Sequence, residues 1–216
     1  MAVYGTIGEF LQATFALIAI ANPLAALPVF LSLLVTNDPA EKRAAANRVA
    51  LAVFAILAGA VLVGRLVLEL FGISFAAFRV GGGLVVTLTG LDMLRRQEPT
   101  PQDAAAATLS TADQLIVPVA MPLIAGPGTI ITAMTLTARA AGIGPPWMVL
   151  IAVAVVAAVV WVVLAMSGVV QRRIGARGQA IVVRFMGLVL VAVGAQLVLG
   201  GIGEFFDVAG ARRTAG

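Results

Sequence analysis

FALIAIANPLAALPVF, residues 15–30, is apolar throughout except for Asn22. It lies inside a longer apolar segment, roughly Gly8 to Leu34. A helix needs about 20 such residues to cross the hydrocarbon core of a bilayer. Yet the centre of this segment reads as a helix start. Asparagine is a strong N-cap, and proline is favoured at the first helical position, where its missing N–H costs nothing. A start signal in mid-span predicts two half-helices meeting near the bilayer midplane. Pro28 loosens a further turn.

The same signal recurs 104 residues later, where Ala125-Gly126-Pro127 falls on Ala21-Asn22-Pro23. It again sits inside an apolar segment, Leu115 to Thr137, which also carries Pro118 and Pro122. At the same offset Gly83 falls on Gly187, Gly90 on Gly194 and Asp92 on Gln196. Four further apolar segments are long enough to span: Asn47 to Leu70, Ile73 to Leu94, Trp147 to Val170 and Ala180 to Gly203. The second and third of the six spans are separated by a tight turn at Phe71 and Gly72. Continuous apolar runs favour helices over barrel strands, which alternate over about ten residues.

The expectation is an all-α membrane protein with six transmembrane helices, arranged as two inverted three-helix repeats, the first and fourth helices broken. Residues 1–94 form the first repeat, 95–114 a polar linker, and 115–216 the second repeat with a short tail. Three spans per half make similar halves insert in opposite senses.

Composition agrees. Of 216 residues, 61% are hydrophobic and 11% charged, and the mean hydropathy is +1.08. A soluble domain carries about a quarter charged residues. Cys and His are absent, which excludes disulfides, thiolate metal sites and histidine bases. No cofactor or metal is expected. The net charge of +4 reads as membrane orientation and not as nucleic-acid binding. Lys42, Arg43, Arg48, Arg95, Arg96, Arg172, Arg173, Arg177 and Arg184 fall on one side. Arg65, Arg79, Arg139, Arg212 and Arg213 fall on the other. The richer side is cytoplasmic by the positive-inside rule, which places both termini outside.

A helix break in hydrocarbon leaves backbone groups unpaired, at several kcal/mol each, unless protein, water or ligand satisfies them. Two half-helix N-termini aimed at one central space would present N–H donors and positive dipole ends, suited to a carboxylate or another small anion. Broken helices at matching places in two halves point to a transporter's midplane site. The candidate binding residues are Asn22, Pro23, Leu24, Gly126, Pro127, Gly128 and Thr129. The small neighbours Ala21, Ala25, Ala26 and Ala125 suit a small ligand or close helix packing.

Ile18 to Phe30 and Pro122 to Ile130 resemble first- and fourth-span signatures of the MarC family of bacterial inner-membrane proteins. Phe71-Gly72-Ile73-Ser74 and Ala77 to Gly83 are similar to its second-to-third span region. Arg184 to Gly187, with Gln196, resembles its last span. The resemblance covers nearly the whole chain. It implies six spans in the cytoplasmic membrane and, from one branch of the family, transport of small neutral amino acids.

Arg79 lies about six residues into its span, where it either snorkels to the outer interface or pairs with Glu69 or Glu9. Arg65 and Glu69 are four apart and suit a pair on one helix face. Arg79, Asp92 and Gln196 are candidates for gating or a polar network. Thr87, Thr89, Thr129 and Thr132 have the option of bonding back to their own helices. Trp147 reads as an interfacial anchor and Trp161 as packing. The glycine run 81–83 permits close contact within or between subunits, so a homo-oligomer stays open. The expected partners are the lipid bilayer and a small solute.

The reading is a secondary carrier or exporter working by alternating access, and not an enzyme, since no nucleophile–base pair is present. An anion or small-solute channel, and a scaffold or sensor without transport, are the rivals.

Overall fold

The computed structural model describes residues 2–32, 34, 38–95, 124–140 and 147–214. The linker at 96–114, residues 115–123 of the fourth span with Pro118 and Pro122, and the side chains of Glu9, Pro28, Arg139, Arg212 and Arg213 lie outside the described parts.

All regular structure among the described residues is helical: α1 (Ala2–Ala21), α2 (Pro23–Ser32), α3 (Pro39–Leu70), α4 (Phe75–Arg95), α5 (Pro127–Ala140), α6 (Trp147–Ala165) and α7 (Ser167–Thr214). Among the described residues, four stretches are long and apolar enough to cross a membrane: α3, α4, α6 and residues 177–207 of α7. Their mean hydropathies run from 1.3 to 3.1, yet no more than 39% of the residues in any of these windows are buried. Leu51, Leu62, Leu66, Phe185 and Leu188 all face outward. Water would penalise such surfaces, whereas lipid does not. A shorter apolar stretch, Thr14–Leu27, crosses the junction of α1 and α2.

The ends of the helices follow local chemistry. Asp38 caps α3, its Oδ1 accepting from Ala40 N–H at 3.0 Å, with Pro39 as first residue. That cap starts the helix eight residues before the apolar span expected from Asn47. The extra turns carry Glu41, Lys42 and Arg43. The far end closes at the expected tight turn. Gly72 N–H donates to Glu69 O at 3.1 Å and Ile73 N–H to Leu68 O at 2.9 Å, with Gly72 at φ 65°. This is a Schellman closure, which needs a left-handed residue after the cap. A Cβ on Gly72 would meet nothing within 4 Å. Gly72→Ala is therefore expected to cost only backbone strain, about 1 kcal/mol, read as a small drop in melting temperature.

One core lies between α1, α2, α3, α5 and α6. Leu17, Phe30, Val49, Val53, Leu57, Ile124, Val153, Val156 and Leu164 fill it. Trp161, expected to serve packing alone, also donates its indole N–H to Asn47 Oδ1, tying α6 to α3. A smaller cluster, Val86, Ile131, Leu190 and Leu197, joins α4, α5 and α7.

The closest helix contact is α4 against α7, in which backbones meet at glycines. A Cβ built on Gly83 would lie 2.7 Å from Gly194 O, and one on Gly90 2.6 Å from Gly187 O. Conversely, a Cβ on Gly194 would lie 2.7 Å from Gly83 O, and one on Gly187 2.9 Å from Gly90 O. Further along, a Cβ on Gly201 would lie 2.8 Å from Ala76 O. Small residues are how membrane helices achieve this proximity, since no hydrophobic force draws apolar helices together in lipid.

Candidate functional site

The chain between α1 and α2 turns on Asn22. Its own N–H closes α1 by donating to Ile18 O at 3.0 Å. Its φ of 39° then breaks the helix, a conformation that asparagine tolerates better than most residues. Its side chain opens α2, with Oδ1 accepting from Ala25 N–H at 3.3 Å. The N-cap expected from the sequence is present, with an added left-handed backbone that sequence alone did not indicate.

The start of α5 is built differently. Gly126 stands in the capping place, its carbonyl accepting from Ile130 N–H at 3.1 Å, and Pro127 begins α5. Ile124 and Ala125 turn without regular α geometry. Thr129 reaches back across the gap, its Oγ1 donating to Ile124 O at 2.7 Å. The Ile124 carbonyl is thereby satisfied.

The two breaks share one neighbourhood. A Cβ on Gly128 would lie 3.4 Å from Ile20 Cγ2 and 2.5 Å from Val86 Cγ2. Thus the start of α5 lies against the end of α1, with α4 beside both. Ala21 and Ala125, immediately before the breaks, are buried in the same cluster. Asn22, Pro23, Gly126 and Thr129 are buried, Leu24 and Gly128 half-buried, and Pro127 exposed.

Polar capacity here is only partly used. The Asn22 amide is 5% exposed, and its Nδ2 meets Met93 Sδ at 3.8 Å, a weak acceptor for a buried donor. Threonines elsewhere bond back one turn: Thr14 to Phe10 O, Thr87 to Gly83 O, Thr89 to Val85 O, Thr135 to Ile131 O and Thr137 to Ala133 O. Thr132 does not. Its Oγ1 is buried with no partner among the described residues. It lies one turn into α5 from Thr129. By helix geometry the N–H groups of Leu24, Gly128 and Thr129 also sit in first turns, where no intrahelical acceptor exists. Donors and hydroxyls therefore gather at the junction without any ionisable side chain among those named. Thr132 was legible only as an ordinary back-bonding threonine. No sequence signal separates it from Thr135.

The outlying polar candidates are placed elsewhere. Arg79 neither snorkels nor pairs with Glu69. It is 7% exposed, and its Nη1 meets Glu204 Oε2 at 2.8 Å. Glu69 instead pairs with Arg65 at 2.8 Å on an exposed face, as the four-residue spacing suggests. Glu204 was missed because α7 runs beyond the apolar span and carries it alongside Arg79 across 125 residues of sequence. A buried guanidinium that loses its anion is strongly destabilising, roughly 3–5 kcal/mol for a closed site. Glu204 is 41% exposed, so solvent softens this. Glu204→Gln is expected to cost roughly 1–3 kcal/mol, measured by thermal denaturation in detergent. Asp92 and Gln196 are both exposed. The glycine register of α4 and α7 sets them about 16 Å apart along the pair, at 1.5 Å per residue, so they do not bridge each other.

The family model for MarC family integral membrane proteins matches residues 7–206. The chain belongs to the MarC family. Among its relatives, the UPF0056 inner membrane protein MarC of Salmonella typhimurium is 35% identical over 201 residues, covering 87% of this chain and 91% of that protein. The UPF0056 membrane protein YvbG of Bacillus subtilis is 33% identical over 196 residues, covering 89% and 93%. The UPF0056 membrane protein MJ1677 of Methanocaldococcus jannaschii is 33% identical over 195 residues, covering 89% and 95%. No solved structure matches. As a MarC family member the chain is an integral membrane protein, and both helix breaks fall inside the matched range.

Proposed function

We propose that this MarC family protein is a secondary carrier of small neutral amino acids in the bacterial cytoplasmic membrane, and that the paired breaks are its substrate site. The observation that carries the reading is the meeting of the two breaks at an under-used polar junction: the Asn22 amide, the Thr132 hydroxyl and the first-turn N–H groups of α2 and α5.

A broken helix offers both halves of a zwitterion's requirements. The N-termini of α2 and α5 present N–H donors and positive dipole ends to a carboxylate. The C-terminal end of α1 presents carbonyls and a negative dipole end to an ammonium group. The close packing of Ala21, Ala26 and Ala125 favours a ligand with a small side chain. The names of the Salmonella relatives support the location, and the loop arginines support both termini lying outside.

The arrangement of helices supports two inverted repeats. Under the 104-residue offset the contact of Gly83 with Gly194 becomes that of Gly187 with Gly90, and both exist. A two-fold axis in the membrane plane produces such an exchange.

A carrier is favoured over a channel by burial: Ala21 is 0% exposed, Ala125 1% and Thr129 2%. The site then opens by motion and does not conduct through a standing pore. The test is uptake of labelled glycine, alanine and serine into proteoliposomes. Saturable uptake with counter-exchange is the expected result. Ohmic single-channel current would favour a channel, and no flux of any of the three would remove the amino-acid reading.

A further inference from the structure

The simplest moving parts would be the two halves of the chain, but their closest contact argues against that division. We infer that the rigid unit is instead α4 together with the part of α7 beyond Gly175, and that α1, α2, α3, α5 and α6 rock against it. This inference rests on the carrier reading above.

The contact between α4 and α7 is backbone against backbone. At Gly83, Gly90, Gly187 and Gly194 an added Cβ meets a carbonyl oxygen of the facing helix within 2.6–2.9 Å. A carbonyl on a helix cannot rotate away as a side-chain tip does. Sliding by one helical turn would bring Val86, Thr87, Leu190 or Val191, which share those faces, onto the carbonyls. The ion pair of Arg79 and Glu204 ties the same two helices, and Gly200 leaves the space that the guanidinium occupies. A motion of half against half would have to part this interface, the most tightly locked one described.

The contacts from this pair to the breaks are of another kind. Ile131 of α5 lies over Gly82, Val86 touches Gly128, and Met93 reaches Asn22 through its thioether. Side chains of this sort re-pack as neighbours move, methionine most readily.

The connections carry an independent sign. The positive-φ glycines among the described residues are Gly72 and Gly175, both at φ 65°. Gly72 joins α3 to α4, and Gly175 interrupts α7 after α6. Each therefore lies where the chain passes from the proposed moving body to the proposed rigid one. A Cβ at either would meet nothing within 4 Å, so no packed neighbour opposes a change of backbone there. Hinges of this kind are a few terminal or loop residues that absorb the backbone change.

The chain has no cysteine, so introduced pairs report without background. Ala77 and Ile202 line one groove between α4 and α7. Bridging A77C/I202C with a short bismaleimide should leave alanine uptake in proteoliposomes within twofold of the unbridged protein. Ile131 Cγ1 lies 2.7 Å from the place a Cβ on Gly82 would take, close to disulfide geometry. Oxidising G82C/I131C should lower uptake at least tenfold, with recovery on reduction. Loss of uptake in the bridged A77C/I202C protein would overturn the inference while leaving the carrier reading intact. So would full uptake in oxidised G82C/I131C. Spin-label distances in vesicles give a readout that does not depend on flux. L88C/L199C, within the rigid unit, should show one narrow distance, and L88C/I151C, across the bodies, should show two. A single distance for both pairs, or two for the first, would overturn the inference even in a preparation with no measurable transport.

Discussion

Asn22→Asp is expected to raise the KM for alanine uptake at least tenfold while leaving the protein folded. The substitution is nearly isosteric and keeps the oxygen that accepts from Ala25 N–H. A carboxylate at an N-cap serves the helix as well as an amide, and the positive end of α2 offsets part of the cost of a charge at this 5% exposed position. What changes is the chemistry offered to a substrate. The Nδ2 donor, now facing Met93 Sδ, disappears, and a negative charge takes a place where a substrate carboxylate would bind. Like charges in a buried site disfavour each other by several kcal/mol, and every 1.4 kcal/mol is tenfold in affinity. Asn22→Ala separates the two roles. It loses the cap, typically about 1 kcal/mol, and places alanine at a φ of 39°, so thermal stability should fall together with uptake. Uptake lost in the Asp variant at a melting temperature no lower than that of an Ala variant with more uptake assigns the amide to substrate and the oxygen to structure.

Gly194→Leu is expected to have the largest effect on stability. The added Cβ would meet Thr87 Oγ1, and lie 2.7 Å from both Gly83 O and Thr87 N. Two of these are backbone atoms on a helix that cannot shift without opening the whole α4–α7 contact. Overpacking of a core commonly costs 1–3 kcal/mol, and here the obstacle is backbone, so a loss above ~3 kcal/mol is expected. Monodisperse yield in detergent and resistance to denaturation are the measurements. Gly81→Leu, two residues from Gly83 on the opposite, exposed face of α4, where a Cβ meets nothing within 4 Å, should leave both unchanged.

The contrast between these glycines shows what sequence could and could not say. Apolar length identified membrane helices, and the Asn22-Pro23 and Gly126-Pro127 signals located the starts of α2 and α5 to the residue. Those readings depend on local chemistry, in which a proline or a cap acts within four residues. The offset picked out Gly83, Gly90, Gly187 and Gly194, but not that the first contacts the last and the second the third. The pairing is set by the antiparallel crossing of helices a hundred residues apart. Arg79 was left between the outer interface and a pair with Glu69 or Glu9 for the same reason: the sequence does not say which acid the fold carries alongside it across 125 residues. Helix ends were misjudged where polar caps extend a helix past its apolar stretch, as at Pro39. Thr132 was hidden because an unpaired hydroxyl differs from a back-bonded one only in its surroundings.

The substrate site at the two breaks is tested most directly by protection of an introduced thiol. T132C would be the single cysteine of the chain, one turn into α5 beside the break. Its rate of maleimide labelling in proteoliposomes should fall in a saturable way with glycine, alanine or serine, while labelling of L51C on the lipid-facing side of α3 stays constant. Labelling of T132C that is unchanged at any concentration of all three amino acids, in a protein that still transports them, would place the site elsewhere and contradict the account.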